Sequence, residues 1–104
     1  MLITPDDEAF LQQFEALTLT GTAFKHRGHL RIAWLYLTRY PYPQASARIS
    51  EGISRYAASI GAAHVYDAAL TQQWIARIHS TLQSPANSIS FEAWIAAHPE
   101  LLIK

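Results

Sequence analysis

Hydrophobic residues recur along this chain at helical spacing, in stretches that proline and glycine residues separate. The first stretch carries Phe10, Phe14 and Leu17 on one stripe, and the preceding Thr4 and Pro5 are typical of a helix start. No run alternates polar and hydrophobic residues over a length that would make a strand. The pattern therefore predicts an all-α protein.

A second helix should begin near residues 24–28 and run to about Tyr40, because Pro41 and Pro43 cannot continue it. Its body is apolar on nearly every side through four large residues, Ile32, Trp34, Leu35 and Tyr36. Such a helix is typically central in a bundle or partly covered by another subunit. We therefore expect helix 2 at the centre of the fold and a homodimer as the assembly.

The third helix should begin after Pro43 and end at Gly61, where a helix-ending glycine belongs. Gly52 lies in its middle, and because glycine there costs about 1 kcal/mol relative to alanine, it indicates close packing. The inward stripe of this helix is expected to contain Ala45, Ile49, Ile53, Tyr56 and Ile60.

A fourth helix is expected from about Asp67 to Leu82, and a fifth should open at Ser88 or Ser90 and be interrupted at His98. The inward side of helix 4 is expected to carry Leu70, Trp74, Ile78 and Leu82. Together the stretches predict a compact bundle of about five helices without a sheet.

Size and composition fit one globular domain over residues 1–104, since 50% of the residues are hydrophobic and 15% are charged. Lys and Arg together number 8, as do Asp and Glu, so no overall field draws the chain to phosphate backbones, and nucleic acid is not an expected partner. The sequence has no cysteine, which excludes disulfides, thiolate metal sites and a cysteine nucleophile.

The amino-terminal segment carries Asp6, Asp7 and Glu8, where a secretory signal would carry basic residues and an apolar run. No stretch approaches the roughly 18 consecutive apolar residues that a membrane span needs. We therefore expect a water-soluble, cytoplasmic protein that does not bind a membrane.

Two helices are expected to bring polar side chains to their inward faces. At about 100° per residue, His26 and His29 share a face with the apolar residues of helix 2, and Asp67 and Thr71 share one with those of helix 4. If the two ends meet, these four residues form a buried polar cluster, which His64 and Tyr66 from the preceding link could join.

The first hypothesis for this cluster is a metal site. His26 and His29 at i, i+3 spacing and the Asp67 carboxylate from a second helix make a two-histidine, one-carboxylate set. Such a set suits Fe(II), Mn or Zn with coordination positions left open, and a metal-dependent enzyme would use the same three residues as its catalytic groups. The spacing is a weak signal, since it lacks the i, i+4 histidine pair and the glutamate of a strong zinc motif.

The second hypothesis is a metal-free site for a small molecule. An imidazole of His26 or His29 beside Asp67 is a competent general base, because the carboxylate fixes its tautomer. Thr71, Tyr66 or Arg31 would then bind an oxygen or an anion of the ligand. This hypothesis predicts a cavity beside these side chains.

The third hypothesis is a structural or partner-binding helical module in which the cluster only fixes packing. Buried histidines usually bond to a carbonyl, a carboxylate or a water, and an aspartate at a helix start is most often an N-cap. The sequence leaves the three hypotheses open, so it does not decide whether the protein is an enzyme.

Residues 24–37 resemble the opening signature of an uncharacterised family of small all-helical bacterial proteins, F-x-H-x-x-H-x-x-x-A-x-x-x-L. The likeness continues through Gly61, a segment similar to the family's Y-H-x-T-L-T at residues 66–71 with Trp74 after it, and residues 91–102. The resemblance implies an all-helical fold and supports the cluster as a site, without implying an activity.

Two positions depart from the family pattern, because Asp67 stands where the family has histidine and Ala69 where it has threonine. A metal ligand could survive the exchange of histidine for aspartate, whereas a proton acceptor of near-neutral pKa would be altered. Similar proteins also continue beyond the position of Lys104, so the resemblance implies that a closing element is missing here.

Overall fold

The computed structural model describes residues 4–19, 26–82 and 90–102, with the side chain of Val65 left out. Five α-helices lie within these ranges, α1 (Pro5–Glu15), α2 (His26–Arg39), α3 (Tyr42–Ser59), α4 (Ala68–Thr81) and α5 (Phe91–Ala97), with 3-10 turns at Ala63–Val65 and Pro99–Leu102. The described ranges contain no β-strand, which confirms the predicted all-α bundle.

Helix α1 begins with a complete capping box. The Thr4 hydroxyl accepts a hydrogen bond from the Asp7 amide at 3.1 Å, and the Asp7 carboxylate accepts one from the Thr4 amide at 2.9 Å. Beyond its last turn, Leu17 has a φ of 62°, a left-handed conformation that costs a non-glycine residue roughly 1–2 kcal/mol. Short-range bonds therefore set the start of α1, whereas its end carries local strain.

Helix α2 is the centre of the bundle, as predicted, and packs on α1, α3, α4 and the final 3-10 turn. Its ring of large apolar residues is covered within one chain, with exposed fractions of 0% for Ile32 and Trp34, 1% for Leu35 and 4% for Tyr36. Trp34 meets Phe91 of α5 edge to face, with 5.7 Å between ring centroids. The large apolar residues of α2 are therefore covered without a second copy of the chain. The homodimer stays a prediction that the burial of these residues does not support.

Helix α3 begins at Tyr42, so Pro43 lies in its first turn rather than before it. Its end follows the prediction, because Gly61 takes a φ of +74° that glycine adopts without strain. Gly52 is closely packed, also as predicted, since a Cβ there would lie 2.7 Å from the Phe14 ring. The predicted inward stripe fails at Ile60, which is 52% exposed.

Helix α4 faces the core largely as predicted. Ile75 and Ile78 are its buried residues, and Trp74 and Leu82 pack against the core, whereas Leu70 is 50% exposed. Of the four residues predicted to face inward, Leu70 is therefore the exception.

Helix α5 begins after Ser90, whose hydroxyl accepts a hydrogen bond from the Ala93 amide at 3.2 Å. The alternative start at Ser88 lies outside the described residues. The Trp94 indole N–H donates to the Thr81 hydroxyl at 3.0 Å, which ties α5 to the end of α4. Among the described helices, none combines the length and the apolarity that crossing a bilayer requires.

Candidate functional site: a cavity between three helices

A cavity of about 340 Å³ lies between α2, α3 and α4. Its apolar wall consists of Leu30, Ala33, Ile49, Ile53, Ala57, Leu70, Trp74, Ile75 and Ile78. Five polar residues, which we call the polar rim, complete the lining: His26, His29, Tyr66, Asp67 and Thr71. The second hypothesis from the sequence predicted a cavity beside these side chains, and the structure contains one there.

The polar rim combines residues from two separate parts of the chain. His26 and His29 lie in the first turn of α2, while Tyr66 and Asp67 precede α4 and Thr71 lies in its first turn. The structure thus brings the polar ends of the two helices to one cavity. His64, which sequence analysis placed near the same cluster, is exposed and is not among the lining residues.

The ring of His26 is held by two contacts. Its Nε2–H donates a hydrogen bond to the Leu101 carbonyl at 2.7 Å, and the ring lies edge to face against Trp74 with 4.9 Å between centroids. Because a carbonyl oxygen can only accept, the proton of a neutral ring must be on Nε2. The unprotonated nitrogen of His26 is therefore Nδ1.

His29 lies three residues further along α2, is half-buried, and lines the cavity beside His26. This i, i+3 spacing places both imidazoles on one side of α2, as the helical projection predicted.

Asp67 is the N-cap of α4. Its Oδ1 accepts the Leu70 amide at 3.0 Å, and its backbone carbonyl accepts the Thr71 hydroxyl at 2.8 Å. The carboxylate is thus partly committed to its own helix, as the structural hypothesis anticipated for an aspartate at a helix start. Its second oxygen, Oδ2, remains at the exposed edge of the cavity and accepts no hydrogen bond from the described residues.

The predicted metal set is not assembled. Among the described residues, which include His26, His29 and Asp67, no three or more histidine, aspartate or glutamate side chains form a group that could hold a metal ion. The His26 Nε2 is bonded to the Leu101 carbonyl and the Asp67 Oδ1 to the Leu70 amide, so each side chain has one ligand atom already in use. The three residues share a cavity without sharing a coordination sphere, and this geometry does not favour Fe(II), Mn or Zn.

Arg31 was predicted to contact a ligand, but it does not line the cavity. Its Nε and Nη2 donate to the Asp7 Oδ1 at 2.9 and 2.6 Å, and its guanidinium lies 4.5 Å from the centre of the Phe10 ring. On a helix, Arg31 is about 200° from His29, so it points to the opposite side of α2. Arg31 therefore joins α1 to α2.

Asp7 stays ionised in this contact although it is only 3% exposed. Burial raises the pKa of its carboxyl, but the hydrogen bonds from the Thr4 amide and the Arg31 guanidinium outweigh burial and lower the pKa below its ordinary value of 3.8. The buried carboxylate is thus a fixed element of the α1–α2 contact.

The part of the site that sequence reasoning missed comes mainly from α3 and from the end of the chain. Ile49 and Ile53 were placed in the core, and Ala57 was not singled out, yet all three line the cavity. Their helical stripe is readable from the sequence, but nothing in a stripe reveals that the facing helices leave space between them. Leu101 contributes its backbone carbonyl, and no residue type in the sequence indicates that this carbonyl belongs to the site.

A second, smaller cavity of about 200 Å³ lies where the end of α1 meets α2 and α3. It is lined by Phe14, Glu15, Leu17, Tyr36, Arg48, Glu51, Gly52 and Arg55. The Tyr36 hydroxyl donates to the Glu15 carboxylate at 2.6 Å, and burial together with this neighbouring charge raises the pKa of Tyr36. Charges of both signs surround this cavity, unlike the apolar wall of the larger one.

Comparison with known proteins gave no relative, since no family model, no curated protein and no solved structure matches the chain. The resemblance to the small helical bacterial family therefore stays a prediction, and function has to be argued from the site itself.

Proposed function

We propose that the protein is a metal-free binding protein for a small, mostly apolar molecule that occupies the cavity between α2, α3 and α4. The observation that carries this proposal is a space of about 340 Å³ with an apolar wall and a polar rim at one end. Ligand sites in proteins typically measure roughly 300–1,000 Å³, are lined mainly by apolar side chains, and contain a few polar groups that orient the ligand.

Size and lining together define the ligand. At roughly 30 Å³ for each water in the liquid, the cavity corresponds to about eleven water molecules, which is enough for a molecule with a single ring. An apolar ligand gains about 25 cal/mol for each Å² of apolar surface that it removes from water. The wall therefore supplies affinity, and the polar rim supplies orientation.

The proposal is binding rather than catalysis. His26 and Asp67, two of the residues that a general acid–base mechanism would use, already hydrogen bond to the backbone at Leu101 and Leu70. These bonds hold the polar rim in one arrangement before any ligand arrives, which lowers the cost of binding.

The same two backbone contacts favour a second candidate function, the structural or partner-binding module. In that case the polar rim only positions α2 against Leu101 and caps α4, and no small molecule enters the cavity. The two candidates differ in one measurable property, which is whether the cavity accepts a ligand.

The test uses 2-phenylethanol as a single-ring probe, monitored by ¹H–¹⁵N correlation spectra of the labelled protein. We expect shifts at the cavity-lining residues and loss of those shifts in Ala57→Leu, which fills the space from α3. Ala58→Leu is the matched control, because it makes the same change at the next, exposed position of α3.

Shifts that persist in Ala57→Leu, or their absence from the unaltered protein at millimolar probe, would contradict the binding proposal. Thermal unfolding of both variants verifies that they fold. Should Ala57→Leu fail to fold, Ile53→Phe fills the same cavity from a half-buried position and replaces it.

A further inference from the structure

The hydrogen bonds already made within the polar rim determine what a ligand can still offer it. The Thr71 hydroxyl donates its proton to the Asp67 carbonyl at 2.8 Å, so towards a ligand its oxygen can only accept. The neutral His26 ring donates through Nε2 to Leu101, which leaves Nδ1 as an acceptor. The Asp67 carboxylate accepts through every lone pair, and Oδ2 is unused by the described residues. Thr71, His26 and Asp67 can therefore each accept a hydrogen bond from a ligand.

The charges around the cavity also favour a ligand with a donor group. Asp67 is the one residue with a fixed charge at neutral pH among the described residues that line the cavity, and its charge is negative. Two arginines of α2 are engaged elsewhere, Arg27 with Glu92 and Arg31 with Asp7. Arg77 of α4 lies over the Trp74 ring, 5.0 Å from its centre, and is not itself a lining residue. At Asp67 a carboxylate ligand would thus meet a like charge, whereas an ammonium would meet an opposite charge.

We propose that the ligand of this cavity is an organic amine whose ammonium group pairs with the Asp67 carboxylate while its apolar body lies against the wall. The inference rests on the proposed binding function and adds the chemical class of the ligand. An ammonium group carries up to three donors and no acceptor, so it can bond to the Asp67 carboxylate and to water at the exposed edge of the cavity.

The magnitude of the preference follows from the exposure of Asp67. Because this carboxylate lies at the solvent-exposed edge of the cavity, its attraction for an ammonium is screened. We therefore expect the amine to bind roughly three- to tenfold more tightly than an alcohol with the same body, and a carboxylate with the same body to bind more weakly than either.

The experiment compares three probes with one aromatic body: 2-phenylethylamine, 2-phenylethanol and 3-phenylpropanoate. Dissociation constants are measured at pH 8, where imidazoles are predominantly neutral and the amine is charged. The decisive variant is Asp67→Asn, which removes the charge and keeps the N-cap, because asparagine caps helices as well as aspartate does. Asp6→Asn, at an exposed position in the first turn of α1, is the charge-matched control.

We expect the order amine, alcohol, carboxylate in the unaltered protein and in Asp6→Asn. In Asp67→Asn the amine should bind no more tightly than the alcohol, so the ratio of their two dissociation constants falls to about one. An amine preference that survives Asp67→Asn, equal binding of amine and alcohol to the unaltered protein, or tightest binding of the carboxylate would overturn the inference. Asp67→Ser, which also supplies a capping oxygen, replaces the asparagine variant if that one does not fold.

The outcomes separate this inference from the function on which it rests. If 2-phenylethanol binds and the amine shows no advantage, the cavity is a binding site for neutral apolar molecules and only the amine inference fails. If none of the three probes binds, the binding function fails as well.

Discussion

The side of α2 that faces α5 and the side that faces α3 and α4 are packed differently. Towards α5, Trp34 is fully buried and contacts Phe91. On the other side Leu30 and Ala33 line a cavity, although they too are only 1% and 3% exposed. Both sides thus carry buried apolar residues, and burial alone does not separate the closed side of this bundle from the open one.

Two small residues contribute to the space on the open side. Ala33 of α2 and Ala57 of α3 both line the cavity, whereas Trp34 and Trp94 are each buried to 2% exposure or less. Protein interiors are packed nearly as densely as organic crystals, so a cavity this large is uncommon unless something fills it. The difference between the two sides can be tested by substitutions on each.

The largest effect is expected on the closed side. Trp34→Ala should lower the free energy of unfolding by about 3–5 kcal/mol, because it removes a fully buried indole and leaves a space that Phe91 cannot fill. Urea denaturation of this variant and of the unaltered protein measures the loss. A change below about 1 kcal/mol would mean that this side is packed as loosely as the cavity side.

A smaller effect is expected for Asp7→Asn, which removes the charge that Arg31 binds on the closed side. The loss should be about 1–2 kcal/mol at pH 7, since the guanidinium keeps partial access to solvent with 25% of its side chain exposed. Urea denaturation at neutral pH gives this value, and Asp6→Asn, one residue earlier and exposed, should change stability little.

The pH dependence of the same contact has a definite sign. The folded-state pKa of Asp7 lies below its ordinary value of 3.8, so its contribution is complete above that pH and is lost as the pH falls through the lower folded value. Stability of the unaltered protein should therefore drop more steeply than that of Asp7→Asn as the pH falls below 3.8. Parallel curves for the two proteins would show that Asp7 does not contribute through its charge.

The smallest of the three effects is expected on the open side. His26→Ala removes the donor to the Leu101 carbonyl and should cost about 1 kcal/mol, because the half-open cavity lets water replace the lost partner. Thermal and urea unfolding measure it, with His64→Ala as an exposed control. A cost near 3 kcal/mol would instead indicate a dry, purely structural contact and would favour the structural module over a binding site.

Features of the fold that depend on neighbouring residues were readable from the sequence. Thr4 and Pro5 start α1, Ser90 starts α5 and Gly61 ends α3, because caps and glycine-ended turns are made by atoms within a few residues of one another. The projection of α2 also placed His26 and His29 on one side correctly. The same projection places Arg31 about 200° from His29 and about 140° from His26, so its assignment to the site contradicted information that the sequence contained.

Contacts between distant parts of the chain were decided only by the tertiary structure. The hydrogen-bond partner of His26 is a backbone carbonyl 75 residues away along the chain. No side chain in the sequence indicates this partner. The exposure of Leu70 and the missing metal geometry depend on how α4 is rotated and placed against α2 and α3. Each helix specifies which of its sides is apolar, but the space between helices depends on the combined volumes of side chains from all of them. The sequence by itself therefore determined an all-helical bundle with α2 at its centre and polar groups at two helix ends, and only the packing of the helices made those ends the rim of a cavity.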